Sequence, residues 1–274
     1  MEKKFIGAGL LSGLIAGIVA FIFARLFIEP QTTKAIDYEE GRSHAEEHLM
    51  AAHGGAGGHE HGEVFTRSVQ ENIGAGVGTI VFALCMGAFF AVAFTILWTY
   101  LARHHPDTDG RWVAVALGVL GFVAAFAVPF FAYPANPPAV GDADTIGARS
   151  GTYLTITVVS VVAMIAAVVF ALWLRPRLGG LTSAVLAAIG YLVVITVAII
   201  LLPQFHEVPE PLTDGDRIVF PGFPAAVIGD FRVYVIANQV ILWTVLTTVF
   251  AAVLGWLGRS GSRSENAVLV ETRR

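Results

Sequence analysis

The 274-residue sequence contains a single cysteine, Cys85, and that residue lies inside a hydrophobic segment. One cysteine cannot form a disulfide within the chain, and it cannot supply the several thiolates of a structural zinc cluster. Intrachain cross-links and thiolate metal clusters are therefore both excluded.

Charged residues are also scarce. They make up 14% of the chain, whereas average soluble domains carry roughly 25%. Hydrophobic residues make up 55%, the mean hydropathy is +0.70, and the apolar stretches extend from residue 5 to residue 257. This distribution is typical of a membrane protein that crosses the bilayer several times, and it excludes a soluble domain with one anchor.

Several enzyme signatures are missing from the sequence. It has no GxxxxGK[ST] phosphate-binding loop, no HExxH zinc-protease motif and no GxSxG nucleophile motif. The segment HAEEH, residues 44–48, has two histidines at the HExxH spacing, but its acidic residues occupy other positions. We therefore expect a protein that is not an enzyme, with a membrane enzyme as the least favoured alternative.

Six stretches are long enough to cross a hydrocarbon core, which takes about 20 helical residues. Because they are continuously apolar and do not alternate, helices are predicted and not barrel strands. The predicted spans are 5–28, 74–101, 112–132, 152–174, 182–202 and 234–257. The sequence thus predicts an all-α integral membrane protein, with a six-helix bundle in residues 1–258 and a cytoplasmic tail in residues 259–274.

Lysine and arginine placement predicts the orientation, because cytoplasmic loops carry an excess of both. If the N-terminus is inside, ten of these residues fall on short inner segments and six on long outer loops. Both termini are therefore expected in the cytoplasm of a bacterial cell, with the protein in the plasma membrane. The first outer loop, 29–73, and the third, between the fifth and sixth spans, are then long and extracytoplasmic.

The first outer loop carries five of the eight histidines in the chain, namely His44, His48, His53, His59 and His61. Imidazole is the commonest protein ligand for late first-row metals. His44 and His48 are four residues apart and would share one face of a helix, where Glu47 or Glu46 could add an oxygen ligand. His206, beside Glu207, is a weaker candidate. The alternative is a solvated polar loop that binds no metal.

The other outer segments suggest structural roles. Pro30 is expected to stop the first helix, and the proline-rich segment after the third span predicts a stiff cap. Arg149 is expected to pair with Asp142 or Asp144. Arg217 and Arg232 are expected to pair with nearby carboxylates.

Small residues recur at helical spacing in the first two spans. Gly9, Gly13 and Gly17 form one such face, and Ala83, Gly87 and Ala91 form another. Because small residues let helices approach closely in lipid, the two faces are expected to pack, either within one chain or between subunits.

The membrane interior offers little for an ion to bind. Arg25 is the only charged residue in a predicted span, near the outer end of the first, where Glu29 could pair with it. One chain therefore provides no obvious hydrophilic path for a divalent cation. Transport would need backbone carbonyls, an oligomer or a partner subunit.

Three segments resemble a known family in their order and spacing: LFIEPQTTKAIDYEE, PFFAYPANPPAVGDADTIGARSGTYL and FPGFPAAVIGDFRVYVIANQVILW. Over about residues 5–258 the chain is similar to the CbtA family of probable cobalt transporter subunits. The resemblance implies cobalt uptake for cobalamin synthesis, together with CbtB, a small single-helix partner with a histidine-rich end. Glu29, Pro30 and Glu39 match the family's EP…E pattern, which makes Glu29 a further candidate ligand.

The leading hypothesis is a membrane subunit that captures Co(II) outside the cell and contributes to its import, with Ni(II) and Zn(II) as alternatives and no resident cofactor. The candidate metal ligands are His44, Glu47, His48, His53, His59, His61, Glu29 and His206. The rival hypothesis is an accessory subunit whose histidine-rich loop buffers metal or docks a partner. Membrane lipid and a CbtB-like subunit are the expected partners, a homo-oligomer is left open, and no nucleic acid is expected.

Overall fold

The computed structural model describes residues 2–54, 74–205 and 207–271. Within these ranges the chain forms eight α-helices and one β-hairpin. The helices are α1 (Glu2–Phe23), α2 (Glu29–Ala52), α3 (Ala75–His104), α4 (Gly110–Phe122), α5 (Val128–Ala132), α6 (Ile146–Leu178), α7 (Gly180–Leu201) and α8 (Ala225–Glu271). The hairpin consists of β1 (Leu212–Asp214) and β2 (Arg217–Phe220), and a 3-10 turn precedes α6 at Ala143–Thr145.

Six helical segments among the described residues are long and apolar enough to cross a membrane. They are Lys3–Ala52, Ala75–His104, Gly110–Ala132, Ala143–Leu178, Gly180–Leu201 and Ala225–Leu257. Each contains or closely overlaps one predicted span, so the prediction of six membrane-spanning helices is confirmed. Among the described residues, the antiparallel hairpin contains the only β-strands.

The expectation that Pro30 ends the first helix was wrong. A π-helical turn, Ala24–Ile28, follows α1 directly and leads into α2, which has Pro30 in its first turn. Proline fits the first turn of an α-helix, and the π-helical turn before it replaces the regular i to i−4 hydrogen bonds that its missing N–H would otherwise interrupt. The same arrangement recurs where the π-helical turn Val123–Ala127 precedes Pro129 in α5. The described part of the predicted first outer loop, 29–54, is therefore almost entirely helix.

The chain divides into two compact units. The first contains α1, α3, α4 and the part of α8 that begins at Ala237. The second contains α2, α5, α6, α7, the hairpin and the part of α8 that ends at Ile236.

In the first unit, the two predicted small-residue faces pack against each other. A Cβ atom added at Gly9 would lie 2.6 Å from Cβ of Ala91, and one added at Gly17 would lie 2.8 Å from Cβ of Ala83. At Gly13 an added Cβ would strike the carbonyl oxygen of Ala83. The predicted close packing is confirmed, and the contact lies within one chain.

Aromatic rings fill the rest of this core. Phe90 and Phe94 of α3 both meet Phe250 of α8 edge to face, with ring centroids 5.0 Å apart in each pair. Phe250 is fully buried, and Phe94 almost so. Edge-to-face pairs stabilise by about 0.5–1.5 kcal/mol beyond the area that they bury.

We predict that Gly13→Ala destabilises the protein, because its methyl group would overlap the backbone of Ala83. Overpacking of this kind costs about 1–3 kcal/mol. The matched control is Gly7→Ala on the same helix, where an added Cβ meets nothing within 4 Å. Thermal unfolding in detergent, followed by circular dichroism, should show a loss for the first variant only. Equal stability of the two variants would contradict the packing.

Candidate metal-binding face

Helix α2 has a buried face and an exposed face. On the buried face, Ala35 and Tyr38 join a cluster with Val140, Phe223 and Ile228. These residues come from the proline-rich segment, from the loop after the hairpin and from the start of α8. The cluster holds α2 against segments that lie far away in the sequence.

Tyr38 is the centre of this contact. Its ring lies 4.8 Å from the ring of Phe223 and 5.3 Å from that of Phe220, centroid to centroid. Its hydroxyl donates a hydrogen bond to the carbonyl of Pro221 at 3.0 Å. One turn later, Arg42 donates to the carbonyl oxygen of Glu210 at 2.7 Å. Aromatic packing and two long-range hydrogen bonds therefore fix which face of α2 points outward.

The outward face carries a line of carboxylates and imidazoles. We call it the acidic–histidine stripe, defined as Asp37, Glu40, His44, Glu47 and His48, all of them exposed. Successive members are separated by three, four, three and one residues, a spacing that keeps them on one side of a helix. Nδ1 of His44 lies 3.8 Å from Oε2 of Glu47. The structure thus brings three predicted ligands, His44, Glu47 and His48, onto one exposed surface.

At the C-terminal end of α2, His53 faces the hairpin. Its Nε2 lies 3.4 Å from Oδ1 of Asp214, the last residue of β1. Gly215 follows with a φ of 59°, at the first of the two turn positions between β1 and β2. Glycine adopts this left-handed conformation readily, so the tight turn leaves Asp214 beside the end of α2.

The remaining predicted ligands lie elsewhere or outside the described residues. Glu29 is in the first turn of α2, fifteen residues before His44. At a rise of about 1.5 Å per residue, it lies about 22 Å from His44 along the helix axis. The predicted ligands His59, His61 and His206 are outside the described residues, as is the rest of 55–73. Across 2–54, 74–205 and 207–271, no three His, Cys, Asp or Glu side chains are placed to hold one metal ion.

Sequence reasoning missed Asp37, Glu40 and Asp214. Asp37 and Glu40 continue the helical spacing of the histidines toward Glu29, and this pattern can be recognised only once α2 is known to begin at Glu29. Asp214 had no such signal, because the hairpin brings it to His53 from 161 positions later in the chain.

A family model matches residues 2–255, which is nearly the whole chain, and its description is "probable cobalt transporter subunit (CbtA)". The chain belongs to the CbtA family. No curated protein and no solved structure gives a match. Together with six helices able to cross a membrane, membership indicates a multi-pass membrane protein of a family described as probable cobalt transporter subunits.

In this CbtA-family chain, the proline-rich segment is tied to the loop after α7. Oε2 of Glu207 accepts hydrogen bonds from the backbone N–H of Asp142 at 2.9 Å and from the hydroxyl of Thr145 at 2.8 Å. Nε of Arg149 lies 3.4 Å from the same oxygen. The backbone N–H and the hydroxyl, aided by the arginine, lower the pKa of Glu207 below its usual range.

Two predicted pairings were wrong. Arg149 pairs with Glu207, and it reaches Asp142 only at its backbone carbonyl oxygen, 2.9 Å away. Arg232 donates to the carbonyl oxygen of Ala135 and to Oδ1 of Asn136, not to a carboxylate. In both cases the partner lies far away in the sequence, so the residues near each arginine did not predict it.

We predict that Glu207→Gln makes stability less dependent on pH. Because the pKa of Glu207 is lowered in the folded state, its stabilisation is present above about pH 4.3, the ordinary pKa of glutamate, and is lost as the pH falls below that value. The unfolding temperatures of the parent and the variant should therefore differ at pH 6 and converge toward pH 3. Glu210→Gln, which removes an exposed carboxylate from the same loop, serves as the control and should not reproduce this convergence.

Proposed function

We propose that this chain captures Co(II) on the extracytoplasmic side of a bacterial plasma membrane and contributes to its import. The observation that carries the proposal is the acidic–histidine stripe. His44 and His48 are separated by one helical turn, and Glu47 lies between them on the same exposed face. Two imidazoles at this spacing can bind one ion through modest side-chain rotations, and the carboxylate adds an oxygen ligand.

The charge of the stripe also suits a dication. Asp37, Glu40 and Glu47 contribute three carboxylates in about three turns of helix. A surface of one sign raises the local concentration of the opposite ion and speeds its capture. Affinity order alone does not select cobalt over Ni(II) or Zn(II). We assign cobalt because the chain belongs to a family of probable cobalt transporter subunits.

High exposure favours a transient site. The side chains of His44 and Glu47 are 76% and 55% exposed, so water can replace either ligand. An ion held this way can leave for the next carrier, unlike an ion in a closed structural site. We include His53 with Asp214 as a second ligand pair, His59, His61 and His206 as further donors, and Glu29 as the carboxylate nearest the first apolar span.

An accessory role is the second candidate function. Apart from Arg25, the six predicted spans contain no Asp, Glu, Lys or Arg, although such residues usually mark ion pathways in membranes. The step across the bilayer would then belong to a partner, such as a small CbtB-like subunit with its own histidines. The purified chain in liposomes distinguishes the two: cobalt entry without a partner supports transport by this chain alone, and its absence supports the accessory role.

We predict that His44→Gln together with His48→Gln weakens Co(II) binding to the full chain about tenfold or more, since loss even of groups that only support a metal ligand costs 10–100-fold. Isothermal titration calorimetry in detergent measures the change. His104→Gln with His105→Gln is the matched control, because it removes two histidines at the C-terminal end of α3, away from the stripe in the sequence. Equal affinity of the two double variants would contradict the assignment.

We also predict that Co(II) binding weakens below about pH 6, because imidazole must be deprotonated to bind a metal and the ordinary histidine pKa is about 6.5. Titrations at pH 7.5, 6.5 and 5.5 test this dependence. An affinity that stays constant across the series would exclude histidine ligation and leave the carboxylates alone.

Cells carrying the chain, compared with cells carrying a variant that lacks residues 44–61, test the link between capture and import. If the stripe feeds transport, the variant takes up less cobalt at low external concentration and approaches the parent at high concentration. If the variant takes up as much cobalt as the parent at every concentration, the stripe does not contribute to import.

A further inference from the structure

The first unit contains a cavity of about 600 Å³ that the metal hypothesis does not use. It is lined by residues near the start of α1, the end of α3, the start of α4 and the end of the apolar part of α8. These positions are ends of four candidate membrane spans, which begin or end at Lys3, His104, Gly110 and Leu257. When these helices span a bilayer, the cavity lies where the hydrocarbon gives way to the headgroups.

Four charged side chains line the cavity: Lys4, Asp109, Arg111 and Arg259. Arg111 and Asp109 neutralise each other, because Nη2 and Nε of Arg111 donate to Oδ2 of Asp109 at 2.6 and 3.0 Å. Neither Lys4 nor Arg259 has a hydrogen bond or ion pair with another residue that the structure describes. The cavity thus offers an anion two positive charges that no carboxylate among the described side chains pairs with.

The rest of the lining is largely apolar. Phe5 and Phe94 meet edge to face with ring centroids 5.4 Å apart, and Trp98 stacks on Phe94 at 6.1 Å. A Cβ atom at Gly110 would lie 3.4 Å from the Trp98 ring, so a larger residue there would project into this space. An apolar wall beside two cations matches a ligand that has both a charged and a hydrocarbon part.

We propose that this cavity binds an anionic phospholipid, with its phosphate at Lys4 and Arg259 and the upper part of its acyl chains along Phe5, Leu254 and Leu257. Basic pockets between membrane helices on the cytoplasmic side bind anionic headgroups in this way. The same cations could bind a free phosphate ion, but phosphate has no hydrocarbon part to pack against the apolar wall of the cavity. The proposal does not depend on metal capture.

Native mass spectrometry of the detergent-purified full chain tests the proposal with phosphatidylglycerol and phosphatidylcholine as probes. The parent protein should retain phosphatidylglycerol preferentially. Lys4→Gln with Arg259→Gln should weaken its retention about tenfold or more, since each cation near an anionic surface contributes on the order of 1 kcal/mol. Lys3→Gln with Arg103→Gln is the matched control, because it removes two exposed cations that do not line the cavity. Equal retention by both double variants would overturn the proposal.

Two further arms separate the outcomes. Inorganic phosphate should not displace phosphatidylglycerol from the parent protein; displacement at millimolar phosphate would identify a soluble-anion site and overturn the lipid assignment.

Phosphatidylglycerol with brominated acyl chains should quench tryptophan fluorescence more than the phosphatidylcholine equivalent, and Trp98→Phe should remove that difference. This readout needs no charge substitution, so it still tests the proposal if the double variant fails to fold. Quenching that does not depend on Trp98 would exclude this cavity.

Discussion

The packing of Tyr38 between Phe220 and Phe223 decides which side chains of α2 are exposed. This contact fixes the rotation of α2 about its axis, and the hydrogen bond from Arg42 to the carbonyl of Glu210 supports the same orientation. Because helical residues three and four apart share a face, burying one side of α2 exposes the other as a unit. His44, Glu47 and His48 therefore share an exposed surface because Tyr38 and Arg42 hold the opposite face of α2 against other segments.

The apolar spans and the polar segments of the chain have different structural roles. The spans suit a bilayer because their helices keep the backbone hydrogen bonds internal. Small residues such as Gly13 and Ala83 let α1 and α3 pack closely. The predicted metal ligands that the structure describes all lie on α2 or directly after it, in the second unit, where that helix contacts the hairpin and the proline-rich segment. We propose that this chain supplies the capture surface and the scaffold that holds it.

The sequence predicted the apolar helices and one contact between them. A continuous apolar run of about 20 residues predicts a helix that can span a membrane. Small residues at helical spacing predict close packing between such helices. Pro30 was misleading, since a π-helical turn before it lets the helix continue. The pairing of His53 with Asp214 and of Arg149 with Glu207 was not predictable, because each depends on how distant loops fold together. Local signals thus predicted the helices, and long-range packing decided the surroundings of the candidate ligands.

We propose that imidazoles of α2 are the ligands of captured cobalt. X-ray absorption at the cobalt K-edge, recorded on the full chain loaded with one equivalent of Co(II), detects such ligands. We expect the outer-shell scattering of coordinated imidazole in the parent protein and its loss or clear reduction after His44→Gln with His48→Gln. An oxygen-only coordination shell in the parent, or an unchanged imidazole signal in the variant, would contradict it.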